Sequence, residues 1–185
     1  MISSNDLRSG MSILHEDNLY QVLDASHNKT AQRQMIIKVK VRNWRTQSIV
    51  ELTFTGGDKV RLAHIDKRNM QYLYDGGDSL VFMDDQTYEQ LELPKTSLEW
   101  EMNFLIESQD VTILMYQQEV LGVQLPDKIT LEVTEAEPAV KGDTATNAQK
   151  NAVLETGLEI RVPLFISAGE RVVVSTADGK YVGRS

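Results

Sequence analysis

Met35-Ile36-Ile37-Lys38-Val39-Lys40-Val41-Arg42 alternates apolar and cationic side chains almost residue by residue. A period of two sets Ile37, Val39 and Val41 on one face and Lys38, Lys40 and Arg42 on the other, the pattern of a strand buried on one side. A helix over the same residues would scatter the charges around its axis. A strand is therefore expected over Met35–Val41. Working outward, Leu19–Leu23 and Ile49–Phe54 read as strands on either side, and Asp58–Ala63 leads into a second block. There Gln71–Tyr74 and Leu80–Met83 flank Asp75-Gly76-Gly77-Asp78, and Asp-Gly between apolar runs is a strong hairpin signal because Gly accepts positive φ. Thr87–Leu91 reads as a helical turn. Val111–Tyr116 and Glu119–Val123 flank Gln117-Gln118, and Pro126 precedes the alternating run Ile129–Val133. Lys141–Lys150 is too polar to pack. Leu158–Val162 and Arg171–Ser175 follow, with Asp178-Gly179 turning the chain into Tyr181–Gly183. Many short strands with frequent turns predict an all-β chain of three small β-barrel domains, over residues 1–63, 64–126 and 127–185.

Composition bounds the chemistry. The chain has 185 residues, 41% hydrophobic, which is enough for buried cores, and no cysteine, so disulfides, thiolate metal sites and Cys nucleophiles are excluded. MISSNDLRSGMS lacks the apolar stretch of a secretory signal, and no apolar run nears the roughly 20 residues of a membrane span, so a cytoplasmic protein without a membrane partner is expected. The net charge of −8 is unevenly spread: +3 over residues 1–63, −9 over 64–126 and −2 over 127–185. Residues 25–50 hold Lys29, Arg33, Lys38, Lys40, Arg42 and Arg45 and no acid, so an acidic chain presents one basic surface.

Asn28-Lys29-Thr30-Ala31-Gln32-Arg33 joins two of the expected strands without an apolar anchor. It reads either as a solvated hairpin tip or as a projecting finger that touches a polyanion. Lys38, Lys40 and Arg42 continue from it along a strand face that could track a phosphate backbone.

Lys150-x-Ala152-x4-Gly157-x2-Ile160-x-Val162-Pro163-x2-Ile166-x2-Gly169 matches the C-terminal signature of the bacterial elongation factor P family. The likeness runs the length of the chain. Leu7-Arg8-Ser9-Gly10-Met11, Lys40-Val41-Arg42-Asn43-Trp44-Arg45-Thr46, Tyr74-Asp75-Gly76 through Val81-Phe82-Met83-Asp84, Gly142-Asp143-Thr144 and Tyr181-Val182-Gly183-Arg184 each resemble family segments. The resemblance implies an SH3-like first barrel and two OB-fold domains in an L-shaped arrangement. It implies a non-enzymatic monomer that binds the 70S ribosome between the peptidyl-tRNA and exit sites and relieves stalling at consecutive prolines. Its partners would be peptidyl-tRNA and ribosomal RNA, with no cofactor and no metal. The finger Lys29, Thr30, Ala31, Gln32, Arg33 would contact the peptidyl-tRNA, and Lys38, Lys40, Arg42 and Arg45 would form an RNA-facing basic strand. Gly142, Asp143, Thr144, Asn147, Tyr181 and Arg184 would make ribosome or tRNA contacts in the last domain. The family's finger reads Lys-Pro-Gly-Lys-Gly, whereas Gln32 holds the tip here, so lysine-directed extension is excluded; an unmodified loop is expected, and a sugar on Arg33, one residue off that register, is the alternative.

Other constellations read as structural. Asp75, Asp78, Asp84 and Asp85 fit no calcium loop and are turn residues. Gly56-Gly57-Asp58-Lys59 lacks phosphate-loop spacing. Ser167 and Ser175 have no histidine in a plausible motif, and His15, His27 and His64 stand apart. Trp44 and Trp100 read as packing anchors. The acidic middle block faces solvent or a basic ribosomal protein. Two rival functions stay open: an OB-type RNA-binding protein acting away from the peptidyl-tRNA site, and an interaction protein with a degenerate finger.

Overall fold

The computed structural model describes residues 1–29, 31, 33–139 and 148–185. Six strands, β1 (Ile2–Ser3), β2 (Ser12–His15), β3 (Asn18–Asn28), β4 (Ile36–Asn43), β5 (Ile49–Thr55) and β6 (Lys59–Leu62), form one sheet in the order β1-β6-β2-β3-β4-β5. The sheet curls around Leu7, Ile13, Val22, Ile37, Val39, Val41, Phe54 and Val60. Along β4 every second residue is buried, which is the alternation the sequence prescribes. β3 is longer than the expected Leu19–Leu23, because its polar end Asp24–Asn28 still finds ladder partners on β4.

The second sheet has the order β11-β10-β7-β8-β9, from β7 (Asp66–Asp75), β8 (Ser79–Asp84), β9 (Gln90–Pro94), β10 (Asp110–Tyr116) and β11 (Glu119–Gln124). The Asp75–Asp78 hairpin forms as expected, with Gly77 at φ +101° and its N–H donating to Asp75 Oδ1 at 2.9 Å. The helical turn expected over Thr87–Leu91 does not form. Asp84 Oδ1 instead accepts from the backbone N–H groups of Gln86 and Thr87, Tyr88 turns at φ 61°, and the chain enters β9.

The third sheet, β14-β13-β12-β15-β16, comprises β12 (Lys128–Ala136), β13 (Gln149–Leu154), β14 (Glu159–Pro163), β15 (Arg171–Ser175) and β16 (Tyr181–Arg184). Its core includes Leu131, Val133, Leu154, Val162, Ile166, Val172 and Val174, and Phe104 from the preceding block is fully buried among them. β13 is not among the strands the sequence pattern predicts, and Lys150 closes the stretch whose polarity argues against packing. In the structure Lys150 points with Ala152 and Leu154 to the core side and is only 8% exposed. Its aliphatic stem packs while the ammonium can reach the barrel rim. Trp100 packs edge-on against Phe104 and donates from its indole to Thr176 O at 3.0 Å. By Cα proximity the chain divides into two compact units, residues 1–67 with 114–121, and 68–113 with 122–185. No helix among the described residues is long and apolar enough to cross a membrane.

Candidate nucleic-acid interface

β3 and β4 pair from Tyr20↔Asn43 out to Asn28↔Ile36, so the finger loop stands on a ladder that continues to its base. Lys29, Ala31 and Arg33 are exposed, whereas Thr30 and Gln32 lie outside the described residues. Below the loop, the Gly56 N–H donates to Met35 O at 2.7 Å, and a Cβ built on Gly56 would come within 3.0 Å of the Met35 Cβ. That close approach favours glycine, and the hydrogen bond ties the finger's return strand to the β5–β6 turn.

Lys38 and Lys40 are exposed on the outer face of β4 and Arg42 is half-buried beside them. Their neighbours differ. Lys38 lies opposite Ser26 on β3 and Thr53 on β5, and Arg42 opposite Gln21 and Ile49. Lys40 lies between Asp24 and Glu51. The register between β3 and β4 shifts between Val22 and Asp24, leaving Leu23 as the extra residue of a bulge. That single insertion turns Asp24 to the outer face, where opposite charges one strand apart attract. Two acids outside that window thus flank the basic surface of residues 25–50 at its centre, as cross-strand neighbours of Lys40 rather than as ion-pair partners.

Arg45 is not on the strand. β4 ends at Asn43, and Arg45 sits in the following turn, where its Nε and Nη2 donate to Glu119 Oε1 and Oε2, both at 2.9 Å. Pairing raises the Arg45 pKa, chiefly through this hydrogen bond, and lowers that of Glu119 for the same reason.

In the third barrel Gly142, Asp143, Thr144 and Asn147 lie outside the described residues. Arg184 donates to Glu170 Oε1 at 2.6 Å and stacks its guanidinium 4.7 Å above the Phe165 ring. Glu170 also accepts from the Ser167 N–H at 2.7 Å, and these two donors hold its carboxyl below the usual range, the backbone one contributing more. Tyr181 lines an open cavity of about 610 Å³ with Asn151, Arg161 and Lys180. The turn acids hold their own turns: Asp75 accepts from the Gly77 N–H at 2.9 Å and pairs with Lys95 Nζ at 2.6 Å, and Asp84 accepts from the Gln86 and Thr87 N–H groups. No metal-holding cluster of His, Cys, Asp and Glu occurs among the described residues. Trp44 donates to Ser12 Oγ at 3.1 Å inside the first barrel.

Sequence reasoning missed Asp24, Glu51 and Glu119 as partners of the basic residues, since pairings across a bulge or over 74 residues leave no local trace. It also missed Asn43, which is 7% exposed and accepts the Arg45 and Thr46 N–H groups at 2.8 and 3.1 Å. An Asn closing an apolar alternation before Trp-Arg-Thr-Gln was the available signal for that turn.

Comparison with known proteins covers nearly the whole chain. Residues 3–60 match the elongation factor P KOW-like domain, 65–123 the elongation factor P OB domain and 129–184 the elongation factor P C-terminal domain. The chain is 52% identical over 184 residues to elongation factor P of Mycoplasma mycoides subsp. mycoides and equally to that of Mesoplasma florum, with all of both chains covered in each case. Among solved structures it resembles eukaryotic translation initiation factor 5A from Methanococcus jannaschii, with TM-score 0.53, 24% identity, 68% of this chain and 90% of that one covered. It also resembles an initiation factor 5A family protein from Naegleria fowleri, with TM-score 0.52, 13% identity, and 67% and 96% covered. These two likenesses concern the fold, and they agree with small β-barrels in series.

Proposed function

The chain belongs to the elongation factor P family of translation elongation factors, and on that premise we propose that it binds the 70S ribosome between the peptidyl-tRNA and exit sites and promotes peptide-bond formation at polyproline stretches. It acts as a cytoplasmic monomer, without cofactor, and leaves the bond-forming chemistry to the ribosome. The observation that carries this reading is the β3–β4 hairpin, which lifts the exposed Lys29 and Arg33 on a paired ladder above a face bearing Lys38 and Arg42. A finger so supported can hold the end of a peptidyl-tRNA in a reactive pose. Such positioning contributes through entropy lost in advance rather than through proton transfer. Proline, a hindered nucleophile, gains most from it.

Gln32 offers an amide at the tip and Arg33 a guanidinium able to grip phosphate at two points. The test is Pro-Pro-Pro synthesis on purified ribosomes with and without the protein. Acceleration of that sequence over a proline-free control is the expected result. Salt-sensitive binding to free RNA, with no ribosome association and no acceleration, would replace this reading with that of an RNA-binding protein acting elsewhere.

A further inference from the structure

We propose that Arg45 and Glu119 form a positioning clamp for the elongation function rather than an RNA contact. This inference rests on the reading just given. Both residues lie within the first compact unit, yet they are 74 positions apart, Arg45 in the turn after β4 and Glu119 at the start of β11. The clamp stands at the opposite end of β4 from the finger. The eight residues of that strand span about 25 Å at roughly 3.3 Å per residue.

An exposed ion pair usually contributes little, because two flexible side chains must be immobilised to make it. Three features lift this pair above that norm. Its geometry is a two-point fork, with both N–O distances at 2.9 Å. Its backbone is already fixed: the buried Asn43 side chain holds the N–H groups of Arg45 and Thr46, the Gln47 N–H donates to Asn43 O at 2.8 Å, and Gln47 Nε2 donates to Trp44 O at 2.9 Å. Finally, Arg45 Nη1 reaches Asp17 O at 3.5 Å, which ties the β2–β3 turn to the same guanidinium. Pairing with Glu119 occupies two of the three guanidinium nitrogens, and a phosphate competing for them would leave the carboxylate unpaired. Arg45 thus differs from Lys38 and Arg42, which have no acid opposite them. A finger that works by orientation needs its barrel held still, and the clamp holds the barrel at the end remote from the finger.

The test uses the full chain as wild type, Arg45→Glu, Glu119→Arg and the charge swap carrying both changes. Each single variant is expected to slow Pro-Pro-Pro synthesis at saturating factor about fivefold, the size of a strong surface coupling, and the swap to return within about twofold of wild type. The salt dependence of ribosome binding should be the same in all four, because the number of phosphates neutralised does not change. A parallel double-mutant cycle in urea unfolding reads the coupling without reference to activity. Swap rescue in both measurements supports the clamp. A swap as poor as Arg45→Glu, with Glu119→Arg harmless and a shallower salt slope for Arg45→Glu, would return Arg45 to the RNA-binding face. Absence of coupling in the unfolding cycle also overturns the clamp. A wild type that fails to accelerate synthesis counts against the proposed function alone.

Discussion

Removing the three outer cations of β4 one at a time should give unequal results, although the sequence presents them as equivalent. Lys38 faces Ser26 and Thr53, and Arg42 faces Gln21 and Ile49, so each is free to neutralise a phosphate. Lys40 has Asp24 opposite it on one side and Glu51 on the other, cross-strand positions from which two carboxylates offset part of its field without an ion pair. Each phosphate neutralised contributes about 0.7 to 0.9 to the slope of log affinity against log salt. Lys38→Ala and Arg42→Ala should each flatten the slope by about that much. Between about 50 and 200 mM salt, one neutralised phosphate fewer makes the salt-induced weakening roughly threefold smaller. Lys40→Ala should change the slope by about a third of that or less. The converse is sharper: Asp24→Asn with Glu51→Gln should release Lys40 and steepen the slope. The assay is equilibrium binding to purified ribosomes across a salt series, with the fold of each variant checked by circular dichroism. If Lys40→Ala flattens the slope as much as Lys38→Ala, the local neutralisation is not operating. If none of the three changes it, the face does not meet RNA.

Arg33→Ala should lower the rate of Pro-Pro-Pro synthesis several-fold at saturating factor while binding falls less, Gln32→Lys should be tolerated, and peptide mass spectrometry over residues 25–42 should find the loop unmodified; full rates for both Arg33→Ala and Gln32→Ala would remove the loop from the mechanism. Phe104→Ala should cost about 3 to 5 kcal/mol in urea unfolding, since the ring is fully buried in the C-terminal core and little can collapse into its place; a cost below about 1 kcal/mol would mean the ring is not a core residue. Acid should destabilise the chain. Glu137, held by the backbone and side-chain N–H groups of Asn151, and Glu170, held by Ser167 and Arg184, titrate below ordinary carboxylates. A depressed folded value stabilises above the unfolded pKa of about 4.3 and is lost as pH falls through the folded one. The urea midpoint should therefore be level from about pH 7 to pH 5.5 and drop below about pH 4.5, less so in Glu170→Gln; a midpoint rising on acidification would contradict the assignment.

Local signals located β4, through its alternation, and the Asp75–Asp78 hairpin, through Asp-Gly between apolar runs, because each is complete within a few residues. What escaped depended on partners elsewhere in the chain. β13 begins in a polar run, and only the cover supplied by β12 and β14 makes Lys150 a core-side residue. The Thr87–Leu91 helical turn failed because Asp84 satisfied the local N–H groups first, leaving Leu91 to the β8–β9 ladder. Long signature spacing carried family membership, yet it could not rank the cations, for ranking needs the cross-strand neighbours.

Those neighbours change the physical meaning of charge segregation. Counting along the sequence, residues 25–50 are purely basic. In the folded sheet, a one-residue bulge brings Asp24 beside Lys40, Glu51 approaches from the other side, and Glu119 takes Arg45. Of the four cations on or just beyond β4, the two with no acid opposite or paired are Lys38, nearer the finger, and Arg42, five residues from Ile37 where the strand leaves the loop base. Together with the exposed Lys29 and Arg33 they extend positive potential from the loop along one side of the hairpin, bounded by acids. A polyanion drawn to so narrow a track is oriented as well as attracted, because displacement to either side meets a carboxylate. If the proposed function holds and the factor works by placing another molecule, flanking repulsion is as useful as central attraction. The release of Lys40 by Asp24→Asn and Glu51→Gln should therefore tighten ribosome binding while leaving Pro-Pro-Pro synthesis no faster.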